Sequence, residues 1–533
     1  MAFNELQKCA KEHDCCEKGA TLLPTRVIKV GRGPEDVRLQ KGGFCARYIC
    51  LSHCWGSKQP LITTKQNVDD HFVRIVWENM PLLYQDTVRL AWQSGIEYIW
   101  IDSLCIIQDS SDDWAHEAGS MKDVYGNSWL TIAATSNPDC CSGILDNPCD
   151  QEGHARFASF KDSIQYSGVT RPNQGFSWLA FPGDINACEL HKHTNGNCRW
   201  PLLTRGWVLQ ERVLSPRVVY FTAASMLWCC KEGDQHEESA FGRLPKPHPK
   251  TMDITASKSR DADPSVDKTF WLDIIEDYCN LKLTDHEDRL PALSGLAQKF
   301  SQQMPSGARY LAGVWSSSLL QGLSWYNNYR GGHGRRRNPP CGVLTGCSRQ
   351  LDQPHQGAPS WSWASIEGSV KFPKLVRREA ATTFHVQIID TDCTPVSHHD
   401  PTGQVSNGRI HLRGPISRFT PSDHLLIKHP KSFRGRVYFD CPVHTHSDDL
   451  MRNQIMCLVL LTKKQEGPDF ADTTLGKRNH NHYSVGLLLR PVVGKDFEYR
   501  RVALVHSFYN PDASLDSSAW FERLSNVEDV III

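Results

Sequence analysis

IWIDSLCIIQD, running from Ile99 to Asp109, is the stretch on which the reading of the fold turns. Its apolar residues stop abruptly at Asp102, a short turn follows, and a second acid, Asp109, opens a polar stretch. A buried strand has this profile where it leaves its sheet: apolar while covered on both faces, polar where the chain turns. In open α/β sheets ligands gather at such carboxyl ends. Asp102 is therefore a candidate for contact with a ribose or a base. The plainer alternative is a turn or helix cap, a common task for aspartate.

Working outward, strand and helix patterns alternate. Tyr48 to Ser52 reads as a strand, and Pro81 precedes a helix in which Tyr84, Val88 and Ala91 fall near one face. Gly95 is placed to cap that helix. Glu97 to Asp102 is the next strand. Trp114, Ala118, Met121 and Tyr125 then recur at helical spacing, with Ser110, Ser111 and Asp112 as capping candidates. Trp129 to Ala134 is a third strand, Arg205 to Val213 a short helix, and Val218 to Thr222 and Met226 to Cys230 return to strand. This order predicts an α/β unit with a mainly parallel sheet and helices on both faces.

The rest of the chain divides around that unit. Residues 1–45 read as a polar lead-in with one extended segment, Arg26 to Val30. The α/β domain spans 46–232 and carries an insertion at 136–200 rich in Gly, Asn, Ser and Cys. Residues 233–268, with PKPHPK from Pro245 to Lys250, read as a linker. A helical and mixed region follows at 269–380, with Trp271, Ile274, Ile275 and Tyr278 on one helical face and Leu293, Leu296, Ala297 and Phe300 on another. Pro291 fits only in a first turn. The run RGGHGRRRNPP, residues 330–340, is a loop. From 381 to 533 the pattern is β-rich, with Tyr483 to Pro491 and Phe497 to His506 expected as a strand pair.

With 533 residues the chain exceeds a single core. Lys plus Arg equals Asp plus Glu at 59 each, so no net field favours a polyanion, and a nucleic-acid role is not expected. No run reaches the roughly 18 to 20 apolar residues of a membrane span, and the first residues lack an apolar signal core. A cytoplasmic location is expected. There most of the 20 cysteines would be reduced, with Cys50, Cys54, Cys105, Cys229 and Cys230 as small core residues.

Several constellations carry chemistry. In RGWVLQE a helix sets Trp207 and Glu211 four apart on one face. An apolar wall can raise the pKa of such a carboxylate, which can then orient a ribose or stabilise a developing cation. The alternative is a core tryptophan and a Glu211 paired with Arg205, Arg212 or Arg217. SHCWG aligns Ser52, His53 and Cys54, but neighbours on a strand point to opposite faces and make a poor nucleophile–base pair. The better reading is a strand-end loop, in which Gly56 lets backbone approach a ligand. Cys188, His191, His193 and Cys198 are ligand types that zinc accepts, at a spacing that matches no common finger. Cys9, His13, Cys15 and Cys16 form a weaker cluster of that kind. Arg335, Arg336 and Arg337 could touch phosphate, and PSWSWAS (Pro359 to Ser365) places two tryptophans two apart, as core residues.

Together the blocks YICLSHCWG, LITTKQN, MPLLYQDTVRLA, YIWIDSLCIIQDSSDDW, VYGNSWLTIAAT and RGWVLQERVLSPR resemble, in order, the fungal heterokaryon-incompatibility (HET) domain family. The likeness covers roughly residues 24–232. DRLPALSGLA, YLAGVW and PSWSWAS look like segments that follow this domain in fungal proteins. The resemblance implies an intracellular fungal protein of non-self recognition and regulated cell death. The HET domain is also thought to be distantly similar to TIR domains, some of which cleave NAD at the nicotinamide–ribose bond. This implies a TIR/flavodoxin-like sheet, NAD as substrate and no resident cofactor. The TIR pattern sets its catalytic glutamate four residues after a tryptophan, as Glu211 follows Trp207. Here Val208 stands in place of the pattern's cysteine, and Arg205-Gly206 in place of the preceding Ser-x. On this reading Glu211 acts on the ribose, Trp207 walls the pocket, and Ser52, Trp55, Gly56 and Asp102 line it. Two further readings stay open. One is a non-catalytic module that works by self-assembly or by docking a protein partner; the other is a metal-binding regulator built on Cys188 to Cys198.

Overall fold

The structure, a computed structural model, describes residues 2–12, 19–57, 59–145, 200–222, 226–231, 233–236, 265–328, 357–366, 368–373, 376, 382–418, 433–440, 455–464, 482–509 and 526–533. Eight strands form the first sheet: β1 (Arg26–Lys29), β2 (Arg38–Lys41), β3 (Tyr48–Ser52), β4 (Tyr98–Trp100), β5 (Leu130–Ala134), β6 (Arg217–Phe221), β7 (Met226–Cys230) and β8 (Gly233–His236). Their spatial order is β8-β7-β6-β5-β3-β4-β1-β2.

The expected mainly parallel sheet is parallel only at its centre. β4, β3, β5 and β6 run parallel, whereas β1, β2, β7 and β8 join antiparallel. The cause is connection length. A parallel pair needs a crossover of a dozen or more residues, and only the chain between β3, β4, β5 and β6 supplies one. Short links join β1 to β2 and β6 to β7 to β8. The extended segment at Arg26 thus becomes a strand of this sheet, pairing with both β2 and β4.

Every residue of β3, β5 and β6 is buried, as strands covered on both faces must be. The covering helices follow from the pleat. Tyr48 and Cys50 point to one face, where both bond the Val124 carbonyl in α3 (Ser111–Gly126). His53 continues the opposite face, toward Tyr84 of α1 (Leu82–Ser94). Gly95 ends α1 at φ +66°, and its N–H donates to the Ala91 and Trp92 carbonyls, the left-handed cap that its position predicts. The chain leaves β3 toward β4 on one side, while β5 lies on the other. A switch point of this kind opens a crevice outside the carboxyl ends of the strands.

Two later helices, α5 (Ser265–Tyr278) and α6 (Pro291–Ser301), follow, with Pro291 in the first turn as expected. α6 lies against α3 and against α4 (Gly206–Leu214). Strands between Thr382 and Ile532 build a second sheet, in which His482–Pro491 and Glu498–Tyr509 pair antiparallel. Val405–Arg418 pairs with both Val527–Ile532 and Met456–Lys464, which closes the sheet on itself like a barrel. Trp361 and Trp363 are core residues, but in a turn and a 3-10 helix capped by Ser362 rather than on a strand. Cys50, Cys54, Cys105, Cys229 and Cys230 are all buried. No helix among the described residues is long and apolar enough to cross a membrane.

Candidate functional site

The carboxyl ends of β3 and β4 and the helix α4 bring four of the sequence candidates into one neighbourhood or its rim. Ser52 closes β3 and is buried. Asp102 is the first residue of a short helix, α2 (Asp102–Cys105), directly after β4. Its Oδ1 accepts from the Ser103 N–H at 2.7 Å and its Oδ2 from the Trp55 indole at 2.9 Å. Asp102 thus ties the neighbouring backbone N–H and holds Trp55 at the rim, while α2 itself has no side-chain cap. Asp102 keeps 27 % of its side chain exposed, which leaves it open to a solute.

Glu211, on α4, is 7 % exposed. No ion pair joins it to an arginine among the described residues. Arg217, one of its expected partners, donates instead to Cys9 Sγ and to the Trp129 carbonyl. Burial pushes the Glu211 carboxyl up to about 7. The Ser52 hydroxyl beside it steadies the charged form, Asp102 opposes it, and Arg205 and the Tyr125 hydroxyl favour it. Ser52 Oγ and Glu211 Oε2 have no partner in full hydrogen-bond geometry, although the Ser52 and Tyr125 hydroxyls lie close enough to the carboxyl to steady its charge.

His53 lies on the opposite face of the same strand end. Its Nε2 is 2.9 Å from the Tyr84 hydroxyl, which is 2.8 Å from Ser103 Oγ. Its Nδ1 faces Asp102 Oδ1 at 3.8 Å and has no hydrogen-bond partner. Burial lowers the imidazole pKa, and Asp102 only partly offsets this, so the ring is held neutral. Burial pushes the Tyr84 phenol well up, keeping it a neutral O–H.

Two candidates are held by other parts of the protein. The Trp207 indole donates to Asp288 at 2.9 Å and its ring meets Trp114 edge-on. Gly56 has φ +84°, and a Cβ there would come within 2.3 Å of Asp139 Cβ; the loop after β5 requires this glycine. Cys188, His191, His193 and Cys198 lie outside the described residues, as do His13, Cys15, Cys16 and Arg335 to Arg337. No group of metal-ligating side chains occurs among the described residues.

Sequence reasoning missed His53 as part of the cluster, together with Tyr84, Tyr125 and Ser103. Periodicity marks Tyr84 and Tyr125 as core-facing without showing where their hydroxyls end. It also missed the brace on α4. The Gly206 N–H donates to the Lys282 carbonyl, the Lys282 N–H donates to the Thr204 carbonyl, and Gly295 N–H donates to Gln210 Oε1 at 3.1 Å. The helix that carries Glu211 is thus fixed by the region that follows the first sheet.

The family model Heterokaryon incompatibility protein (HET) matches residues 48–211, from the first residue of β3 to Glu211 itself. The chain therefore carries a HET domain over residues 48–211. No curated protein and no solved structure matches it.

Proposed function

We propose that the HET domain cleaves NAD at the bond between nicotinamide and ribose, and that this activity serves non-self recognition and regulated cell death. One observation carries the reading: Ser52 Oγ, His53 Nδ1 and Glu211 Oε2 are buried polar atoms without a partner in full hydrogen-bond geometry at the carboxyl ends of the central parallel strands. Leaving a buried polar atom unsatisfied costs about 1–3 kcal/mol, and such atoms gathered at a switch point match a site that a polar ligand completes. The parallel centre, with β3 between β4 and β5, is the arrangement a TIR-like reading calls for.

The chemistry suits the residues. Breaking the glycosidic bond builds positive charge on the ribose, and a carboxylate beside the ring stabilises that charge. Glu211 is kept near neutrality by burial, so ribose hydroxyls that donate to it would favour its charged form. Ser52 lies beside the carboxyl, and Asp102 and Trp55 form the rim. Trp207 serves by setting α4 against Asp288 and Trp114.

The test is free nicotinamide released from NAD by the purified protein, at high concentration and on a tethering scaffold that forces assembly. Wild type should release it, and Glu211→Gln should lower the rate by at least about 100-fold. No release from folded, assembled wild type would overturn the proposal. A module that works by self-assembly or partner docking would then be the reading to pursue.

A further inference from the structure

We infer that His53 is the general base that takes the proton from the attacking water in this cleavage, a role that rests on the glycohydrolase reading above. The geometry prepares one nitrogen for it. His53 Nε2 and the Tyr84 hydroxyl are 2.9 Å apart, and that hydroxyl is 2.8 Å from Ser103 Oγ; in the tautomer that carries its proton on Nε2, that N–H donates to the Tyr84 oxygen and Nδ1 keeps its lone pair. That nitrogen is buried and has no partner. Asp102 Oδ1 stands 3.8 Å from it. The Asp102 carboxylate stabilises the imidazolium that forms, as a third group does in nucleophile–base–orienter arrangements.

The division of labour follows the pleat of β3. Ser52 points to the face of α3 and α4, where Glu211 sits, and His53 to the face of α1. One face would stabilise the ribosyl cation and the other would deliver the nucleophile. In the step itself, the water oxygen bonds to ribose C1′ and the C1′–N bond breaks. The bonding pair passes to the pyridine nitrogen, so nicotinamide leaves neutral. The water proton goes to His53 Nδ1 and from there to solvent by way of Asp102. No other reactant is required.

The test separates water from a nucleophile that carries no proton. Full-length wild type, His53→Asn, Tyr84→Phe and Glu211→Gln are incubated with NAD and excess 3-acetylpyridine. ADP-ribose from hydrolysis and the exchanged dinucleotide are measured together. A pyridine attacks without losing a proton, so His53→Asn should raise the ratio of exchange to hydrolysis by about 100-fold. Glu211→Gln should lose both products. Tyr84→Phe keeps the ring and removes the hydroxyl that fixes the tautomer, and should raise the ratio less than His53→Asn does. An unchanged ratio in His53→Asn overturns the role. If that variant does not fold, an unchanged ratio in Tyr84→Phe overturns it. Wild type that yields neither product overturns the glycohydrolase reading and this role with it, an outcome visible before any variant is made.

Discussion

Two clusters of buried polar groups, one at each sheet, are built in opposite ways. In the C-terminal sheet, Arg501 and Asp440 are both fully buried and every contact is made. Arg501 Nε lies 3.2 Å from Asp440 Oδ2, its terminal nitrogens donate to the Leu323 and Trp325 carbonyls, and its guanidinium stacks 3.4 Å over the Trp325 ring. At the carboxyl end of β3, Ser52, His53 and Glu211 are buried almost as deeply, and each leaves an atom unbonded. A closed network rigidifies the part that holds it, whereas an open one stores a cost that a ligand can relieve. This contrast is the strongest physical reason to look for function at the carboxyl end of β3.

The contrast can be broken by mutation, and the largest effect should fall on the closed network. Asp440→Ala strands the Arg501 guanidinium and should cost about 3–5 kcal/mol, read as a lower denaturant midpoint. Failure to lose stability would deny the network its structural role.

Glu211→Gln should act with the opposite sign. The folded-state pKa of about 7 lies above the ordinary 4.5, so between those values the folded protein binds the proton more readily than the unfolded chain. The burial penalty is therefore absent below pH 4.5, grows as pH rises, and is complete above 7, where it amounts to roughly 3 kcal/mol. The melting temperatures of wild type and Glu211→Gln should converge near pH 4.5, with the variant higher at pH 8. A variant that is less stable than wild type at pH 8 would mean that Glu211 is satisfied in solution.

Smaller effects sharpen the same comparison. Tyr84→Phe removes the hydroxyl between His53 and Ser103 and should cost about 1–2 kcal/mol, seen in the same melts. Ser52→Ala removes a hydroxyl that makes no full hydrogen bond and only steadies the Glu211 charge, and it should change stability by less than about 0.5 kcal/mol. A larger loss would place Ser52 with the closed networks.

Local pattern alone determined much of this protein. The apolar run ending at Asp102, the helical spacing from Trp114 to Tyr125, the cap at Gly95 and the tryptophan pair in PSWSWAS were legible because burial and backbone sterics act over a few residues. The HET domain was legible in another way, by the resemblance of its ordered blocks to that family, and Glu211 and Ser52 stood out within those blocks. Strand direction was decided only in three dimensions. β1 and β2 enter the sheet from upstream of β3, and β7 and β8 extend it by short links, a matter of loop closure that no periodicity records. So was the site itself. Which hydroxyl reaches His53, which acid faces its free nitrogen, and that Trp207 turns to Asp288 depend on contacts between residues 19 to 81 positions apart. Hydrogen bonds at that range are set by packing, because a side chain's partner is whatever the folded chain brings within about 3 Å of it.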